Sequence, residues 1–120
     1  MAPRPVPEIF AKHPETARAF SELMAFVDTL TSCTIEEKKT CLHVVAGKAA
    51  FLGVHPRKNG LRLTVVLSRP IDSPRIVKCE KASAKRYHVD LNILASEGID
   101  NEVRSWITEA YQRNIQVVSQ

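Results

Sequence analysis

The sequence predicts a two-layer α+β domain, in which an antiparallel β-meander of about five strands is covered on one face by an N-terminal and a C-terminal helix. Three observations lead to this prediction. Apolar residues recur every three or four positions near both ends of the chain, they alternate with polar residues in the middle, and Asn59-Gly60 marks a turn between two alternating segments. At 120 residues and 13.4 kDa, the chain has the usual size of one domain, which we expect to span residues 1–120.

The N-terminal helix is expected over residues 14–30, after a proline-rich lead-in at residues 1–13. Pro14 suits the first helical position, because the N–H that proline lacks would have no partner within the helix. One face of this segment carries the apolar residues Phe20, Leu23, Met24, Val27 and Leu30. The opposite side is mostly polar, which is typical of a solvent-exposed helix face rather than of a binding site.

The middle of the chain predicts five strands, at residues 40–46, 49–55, 61–69, 76–80 and 87–93. Residues 31–39 are interpreted as a break after the helix and a charged approach to the first strand. Asn59-Gly60 tolerates the positive φ angles of a type I′ turn, so we expect a two-residue turn there. The clearest alternation is in the last strand, where Tyr87, Val89, Leu91 and Ile93 alternate with His88, Asp90 and Asn92.

The C-terminal helix is expected over residues 101–113. Asp100 is a favourable N-cap, and Glu102 in the first turn complements the helix dipole. The apolar stripe that would face the sheet consists of Val103, Trp106, Ile107 and Ala110. Residues 114–120 are interpreted as a short apolar tail, whose core at residues 115–118 could add an edge strand, dock into a groove or fray.

The composition is that of an ordinary globular protein, with 44% hydrophobic and 25% charged residues. No run approaches the ~18 consecutive apolar residues of a membrane span, and the first ten residues lack the apolar core of a secretory signal. We therefore expect a cytoplasmic protein with no membrane association. Cys33, Cys41 and Cys79 are spaced too widely for a CxxC motif, so free and mostly buried thiols are expected, with no metal and no cofactor.

Several segments resemble an uncharacterised bacterial family of unknown function, numbered 5655 in that series, whose members occur alone or fused to nuclease-like domains. The resembling segments are EIFAKHPETARAFSELMAFV, the Lys39-Thr40 pair, FLGVHPRKNGLRLTVVL, IDSPRI, YHVDL and EVRSWITEAY, which lie within about residues 8–113. The hairpin and the turn are the most specific of them. The resemblance implies no activity, cofactor or catalytic residue that could be transferred to this chain.

Catalysis would require a nucleophile, a base and an orienting group, and the residue types available are Cys41, His43, His55, Asp72, His88 and Asp90. None lies in a recognisable motif. Cys41 and His43 have the spacing of two zinc ligands on a strand, but two ligands are too few for a site. We therefore predict no catalytic or metal-binding residue, and an enzyme remains the third function class considered.

Positive charge is concentrated in residues 55–86, which hold nine Lys or Arg and two Asp or Glu, a net charge of +7. Since the whole chain carries +4, the remainder carries −3. A positive lobe of this kind attracts anions and acidic partners. We expect the basic loops to form a continuous cationic rim that binds nucleic acid or another anion through Arg57, Lys58, Arg62, Arg69, Arg75, Lys85 and Arg86.

The predicted function is therefore a non-enzymatic binding module for an acidic partner, most directly nucleic acid and otherwise an acidic protein. The alternative is a protein-interaction or self-associating domain, a homo-oligomer, that uses the open sheet face or the tail. His88, Asp90 and Asn92 share the polar side of their strand. They are either a solvated strand face or a small polar cluster that recognises a ligand.

Overall fold

The computed structural model describes residues 5–119, which contain two α-helices, one short 3₁₀ helix and six β-strands. In chain order, the elements are the 3₁₀ helix Glu8–Phe10, α1 Pro14–Val27, β1 Cys33–Glu37, β2 Leu42–Ala46, β3 Ala49–Arg57, β4 Gly60–Leu67, β5 Ile76–Ser83, β6 Arg86–Leu94 and α2 Asn101–Ser119. Within these described residues, no helix has the length and apolar character that crossing a bilayer would need.

All six strands form a single antiparallel sheet in the order β1-β2-β3-β4-β6-β5. The predicted α+β class with an antiparallel sheet is confirmed, with six strands where about five were expected. From β1 to β4 the sheet is a simple meander. After β4 the chain skips the neighbouring position in the sheet and forms β5 at the outer edge. β6 then returns to the skipped position, between β4 and β5, and pairs with β4.

The additional strand is β1, in the segment that we interpreted as a break and a charged approach. It pairs with β2, with Cys33 opposite Ala46 and Ile35 opposite Val44. Cys33 and Ile35 are half-buried against the core, whereas the residues between and after them are exposed. This is the composition of an edge strand, where charged side chains prevent pairing with other chains. An alternation that involves only two half-buried residues is too short to identify a strand from sequence.

Both helices differ in length from the prediction. α1 ends at Val27 rather than at residue 30, because the amides of Thr29 and Leu30 bond three residues back, at 2.9 Å each, and tighten the last turn. α2 continues to Ser119, so the predicted tail is helical over residues 114–119, while residue 120 lies outside the described residues. Asn114 explains this continuation, since its buried Nδ2 donates to the carbonyl oxygens of Ala46 at 3.3 Å and Ala49 at 2.8 Å.

The core lies between the two helices and one face of the sheet. Its fully buried members include Leu23 of α1, Ile107 of α2 and Leu63 of β4. The lead-in contributes as well, because Phe10 is fully buried and stacks on Phe20 with ring centroids 4.5 Å apart. α1 packs on β4, and α2 packs across β2, β3 and β4. The other face of the sheet therefore remains available for function.

The turn between β3 and β4 differs from the predicted type I′ turn at Asn59-Gly60. Arg57 pairs with Gly60, so the two-residue turn is Lys58-Asn59. Neither Asn59 nor Gly60 has a positive φ, a conformation that among the described residues belongs to Ser32, Gly47 and Gly98. Gly60 instead allows a close approach of β6, because a Cβ atom there would lie 1.9 Å from the carbonyl oxygen of Ile93. The prediction of the turn type was wrong because Gly60 is required by the close approach of β6, a strand distant in sequence, and not by the turn.

Asp100 caps α2 as predicted. Its Oδ1 accepts a hydrogen bond from the Val103 amide at 3.1 Å, and its two oxygens accept from the Arg75 guanidinium at 2.9 and 2.7 Å. The Arg75 hydrogen bonds, followed by the Val103 amide, lower the pKa of Asp100 to about 2. The charged carboxylate therefore stabilises the fold above pH ~4, and this contribution is lost as the pH falls towards 2.

We expect Asp100→Ala to lower the free energy of unfolding by about 1–2 kcal/mol at neutral pH, because it removes the cap. Asp100→Asn retains an oxygen that can accept from Val103, so its cost should be about half as large or less. Urea unfolding of the three proteins measures both values. Equal costs for the two substitutions would contradict the role of the cap and assign the effect to the ion pair with Arg75.

Candidate nucleic-acid interface

The structure does not bring the seven predicted cations together. Gly60 at the start of β4 pairs with Leu94, whereas Leu67 at its end pairs with Tyr87. The β3–β4 turn, with Arg57 and Lys58, therefore lies at one end of these strands, and the β5–β6 turn lies at the other. A strand rises roughly 3.3 Å per residue, so the eight residues of β4 separate the two turns by roughly 25 Å.

Three of the seven cations are paired with carboxylates. Arg62 Nη2 donates to Asp90 Oδ2 at 2.8 Å. Arg69 donates to both oxygens of Glu109, at 3.0 and 2.9 Å, and Arg75 binds Asp100 in the same two-bonded manner. These hydrogen bonds raise the pKa of Arg69 and Arg75. Guanidinium groups that already hold carboxylates offer less charge to a phosphate, so these residues do not complete a rim.

A cluster of cations does form around a cleft of about 330 Å³ at the end of the sheet. The cleft lies between the lead-in and first turn of α1, the β1–β2 connection and the β3–β4 turn. Its charged lining consists of Lys12, Lys39, Arg57 and Lys58, and its other lining residues are Ile9, His13, Thr16, Thr40 and Pro56. We call this feature the cationic cleft, because no aspartate or glutamate belongs to its lining in the described part of the chain.

Thr16 fixes the two elements that form the walls of the cationic cleft. Its side chain is buried, and its hydroxyl lies within hydrogen-bond distance of two carbonyl oxygens, that of Arg57 and that of Lys58, the latter at 3.2 Å. The first turn of α1 is thus attached to the β3–β4 turn through backbone oxygens. The side chains of Arg57 and Lys58 are exposed, and they extend from a backbone that the Thr16 hydroxyl holds in place.

The start of α1 adds a further positive potential. His13 occupies the N-cap in an extended conformation without a side-chain cap, and Pro14 follows it. The first amides of a helix have no partner within the helix, and the helix dipole makes this end positive. Among residues 5–119, the four cations of the cleft form no ion pair with aspartate or glutamate. Their charge is therefore available to an anion.

Sequence reasoning identified two of these cations, Arg57 and Lys58, and missed Lys12 and Lys39. Leu42 of β2 pairs with Val54 of β3, so the chain before β2 and the chain after β3 lie at the same end of the sheet. The predicted strands already contained this relation and could have placed Lys39 near Arg57. No comparable signal exists for Lys12, because its position depends on how α1 packs against the sheet.

The predicted polar cluster lies on the open face of the sheet. His88, Asp90 and Asn92 are opposite Val66, Thr64 and Arg62 of β4, respectively. Asp90 accepts hydrogen bonds from Thr64 Oγ1 at 2.7 Å and from Arg62 Nη2 at 2.8 Å. Burial alone would raise the pKa of Asp90, but these hydrogen bonds outweigh it and the pKa is lowered. Asp90 therefore remains charged and joins β4 to β6.

The cysteines do not form a site. Cys33 and Cys41 are half-buried free thiols, and Cys79 is exposed, which corrects the expectation that all three would be mostly buried. Burial, together with the Asp28 carboxylate, raises the pKa of Cys33, so its thiolate is disfavoured. Cys41 Sγ lies 3.8 Å from His43 Nε2. In the described residues, no three His, Cys, Asp or Glu side chains are grouped so that they could hold a metal ion.

Comparison with known proteins identifies a family but no activity. No curated protein matches the chain, and no solved structure matches it. A match to the family described as "Domain of unknown function (DUF5655)" covers residues 6–114, which is most of the chain. The resemblance stated from the sequence is thereby confirmed, and the chain belongs to this family of unknown function.

Proposed function

We propose that this protein is a non-enzymatic nucleic-acid-binding module whose cationic cleft holds phosphate groups. The observation that carries this proposal is the convergence of Lys12, Lys39, Arg57 and Lys58, from three separate segments, on one concavity whose lining contains no carboxylate among the described residues. Four exposed cations in one place generate the local positive potential that non-specific nucleic-acid binding requires.

The geometry favours contacts to the backbone of the nucleic acid. Lysine ammonium groups and the Arg57 guanidinium donate to phosphate oxygens, and the positive end of α1 supports the same charge. Phosphate contacts position a nucleic acid without reading its sequence. No phenylalanine, tyrosine or tryptophan belongs to the described lining, so base stacking does not contribute at this site. We therefore expect weak sequence preference.

A cytoplasmic location forms part of the proposal, since nucleic acid is present there.

The second candidate is self-association or binding of a protein partner. It is favoured by Val77 and Leu94, two large apolar residues that are 51% and 47% exposed. Val77 belongs to the outermost strand β5, whose outer edge pairs with no other strand within residues 5–119. Burial of apolar groups resists added salt, whereas phosphate binding weakens strongly with it. The salt dependence of binding therefore separates the two functions.

Fluorescence anisotropy with a labelled single-stranded oligonucleotide tests the proposal on the full chain. Contacts to four phosphates should lower the binding constant roughly 50-fold between about 50 and about 200 mM salt, since each contact contributes about −0.7 to the slope of log K against log salt. Binding that is absent at low salt, or that does not change with salt, would contradict the proposal. Size-exclusion chromatography of the same samples detects the self-associating alternative.

Arg57→Ala and Arg69→Ala provide a matched pair, because both remove one arginine charge. Arg57 belongs to the cationic cleft, whereas Arg69 is held by Glu109. We expect Arg57→Ala to reduce the salt slope by about one phosphate contact and Arg69→Ala to leave it nearly unchanged. An equal loss in both variants would mean that the total charge of the protein, rather than the cationic cleft, determines the affinity.

A further inference from the structure

The face of the sheet that the helices do not cover holds a second concavity, of about 350 Å³. Its polar lining consists of His43, His55, Thr64, Arg86 and His88. Three of the four histidines of the chain thus converge on one place. None of the lining residues belongs to the cationic cleft. We call this feature the open-face concavity.

Gly53 explains why the open-face concavity exists. It lies in the middle of β3, opposite His43 of β2 and Thr64 of β4. A Cβ atom at Gly53 would lie 3.6 Å from Thr64 Cβ, 3.8 Å from His43 Cδ2 and 3.9 Å from His55 Nε2. These are ordinary contact distances, and the φ angle of Gly53 is not positive, so neither sterics nor backbone conformation requires glycine here. The missing side chain leaves a gap bordered by two imidazoles.

His88 contributes an unusual group to the open-face concavity. Its Nε2 atom is buried and has no hydrogen-bond partner among the described residues. Buried polar atoms in proteins are nearly always paired with a protein group, a water molecule or a ligand. His88 lines the half-open concavity beside Arg86, but its Nε2 atom is closed to solvent, so a bound molecule can reach this atom only when the imidazole rotates.

The lining of the open-face concavity combines positive charge with apolar surface. Arg86 carries its only permanent charge, since no aspartate or glutamate belongs to the described lining. Asp90 lies on the same face, but its two oxygens already accept hydrogen bonds from Arg62 and Thr64. The apolar part of the lining comes from the side chains of Ala50 and Val66, whereas the side chain of Leu52 belongs to the core. This combination suits a ligand with a negative end and an apolar body.

We propose that the open-face concavity binds a small organic carboxylate with an apolar body, and that binding is coupled to protonation of His55. The Arg86 guanidinium and the imidazole N–H groups donate to the carboxylate, while the body packs on the apolar lining. The volume lies at the lower end of the range of small-molecule sites, about 300–1,000 Å³. Inorganic phosphate would satisfy the donors but leave the apolar lining without a contact.

The surroundings of His55 explain the coupling to protons. Burial, followed by the positive charges of Arg57, Arg62 and His43, lowers the pKa of His55, and Asp90 only partly opposes them. Between this lowered pKa and the ordinary value of about 6.5, the unfolded chain binds more protons than the folded one. The stability contributed by neutral His55 is therefore present above about pH 6.5 and is lost as the pH falls below it.

Other charged groups also face these imidazoles. Glu36 of β1 is opposite His43, Glu80 of β5 is opposite His88, and Lys78 of β5 is opposite Asp90. A bound carboxylate adds a negative charge beside His55 and raises its pKa. Binding then takes up a proton, and the affinity falls by up to about tenfold for each pH unit above the pKa of the free histidine.

Titration of the full chain with benzoate, followed by NMR of the histidine ring signals, tests the proposal. We expect saturable shifts of His43, His55 and His88, no shift of His13, and binding about tenfold weaker at about pH 7.5 than at about pH 6. Benzamide tests the negative charge and inorganic phosphate tests the apolar body, and each should bind at least about tenfold more weakly than benzoate. Equal binding of benzamide, stronger binding of phosphate or an affinity independent of pH would overturn the proposal.

Three variants locate the benzoate site. Gly53→Leu fills the gap, and Arg86→Gln removes the permanent charge, so each should weaken benzoate binding by about tenfold or more. Lys81→Gln is the control, because it removes a cation that does not line the open-face concavity, and it should change the affinity by less than about twofold. Arg86 is exposed, so its substitution remains informative if Gly53→Leu fails to fold. An equal loss in Lys81→Gln would contradict the site.

The two binding sites can fail independently. Arg86→Gln should retain the nucleic-acid affinity of the unchanged protein, because Arg86 lies outside the cationic cleft. Arg57→Ala, in turn, should retain benzoate binding within about threefold, since Arg57 is not a lining residue of the open-face concavity and acts there only through its charge near His55.

Discussion

Gly60→Ala should lower the free energy of unfolding by about 3 kcal/mol, although it adds a single methyl group. Gly60 is buried at the start of β4, opposite Leu94 of β6. The added Cβ atom would lie 1.9 Å from the carbonyl oxygen of Ile93 and 3.0 Å from Leu94 Cα. Because these are backbone atoms of a paired strand, no side chain can rotate away, and β4 and β6 would have to separate at this end.

Gly53→Ala is the matched control for this measurement. Both glycines are buried in strands, and neither has a positive φ that would strain an alanine. Alanine also lowers the conformational entropy of the unfolded chain equally at the two positions. A Cβ atom at Gly53 would make only ordinary contacts, the closest at 3.6 Å, so we expect a change within about 0.5 kcal/mol. Urea unfolding compares the two variants. Similar costs at both positions would show that the approach of β6 does not determine the residue at position 60.

The β3–β4 hairpin shows what the sequence can and cannot predict. Local alternation of apolar and polar residues identified both strands, because each side chain responds to the face on which it lies. The reason for Gly60 was not local. The dipeptide Asn59-Gly60 suggested a backbone preference, whereas the constraint comes from Ile93 on β6. Pairings of this range are set by the order of strands in the sheet, which alternation does not encode.

The same limitation applies to the cationic rim. The excess of positive charge in residues 55–86 is present, but α2 and the residue before it carry part of the compensating negative charge. In the folded chain, Glu109 holds Arg69 and Asp100 holds Arg75. A sum over a segment cannot show which charges meet. Arg57 and Lys58 remain available because the described lining of their cleft brings Lys12 and Lys39 beside them and contains no carboxylate.

The ends of the helices depended on tertiary contacts in a similar way. The stripe of apolar residues predicted α2 from its correct first residue, Asn101, to residue 113. Its continuation depends on Asn114, a polar residue that the helical period places on the stripe, four positions after Ala110. Because the side chain of Asn114 donates to two carbonyl oxygens at the β2–β3 turn, it is buried with its hydrogen bonds satisfied. Sequence pattern recognises burial of apolar groups more readily than burial of a bonded amide.

Reversing two charges in the cationic cleft, Lys39→Glu together with Arg57→Glu, should lower the affinity for single-stranded nucleic acid about 100-fold at low salt. The two side chains belong to different loops and line the same cleft, so the double variant removes two phosphate contacts and adds repulsion at the same place. Both side chains are exposed, and Thr16 bonds the backbone oxygen of residue 57, so the fold should be retained. Anisotropy titrations at about 50 mM salt measure the loss, and thermal unfolding checks the fold.

The matched control is Lys81→Glu together with Lys85→Glu. Each reversal changes the charge by two, so both double variants reduce the net charge from +4 to zero. Lys81 and Lys85 are exposed in and beside the β5–β6 hairpin, at the opposite end of the sheet from the cationic cleft. If phosphate groups bind in the cleft, the control should lose only about threefold in affinity, through the weaker long-range attraction that salt screens. An equal loss in the two double variants would show that nucleic acid responds to the total charge of the protein, and the cationic cleft would then have no special role.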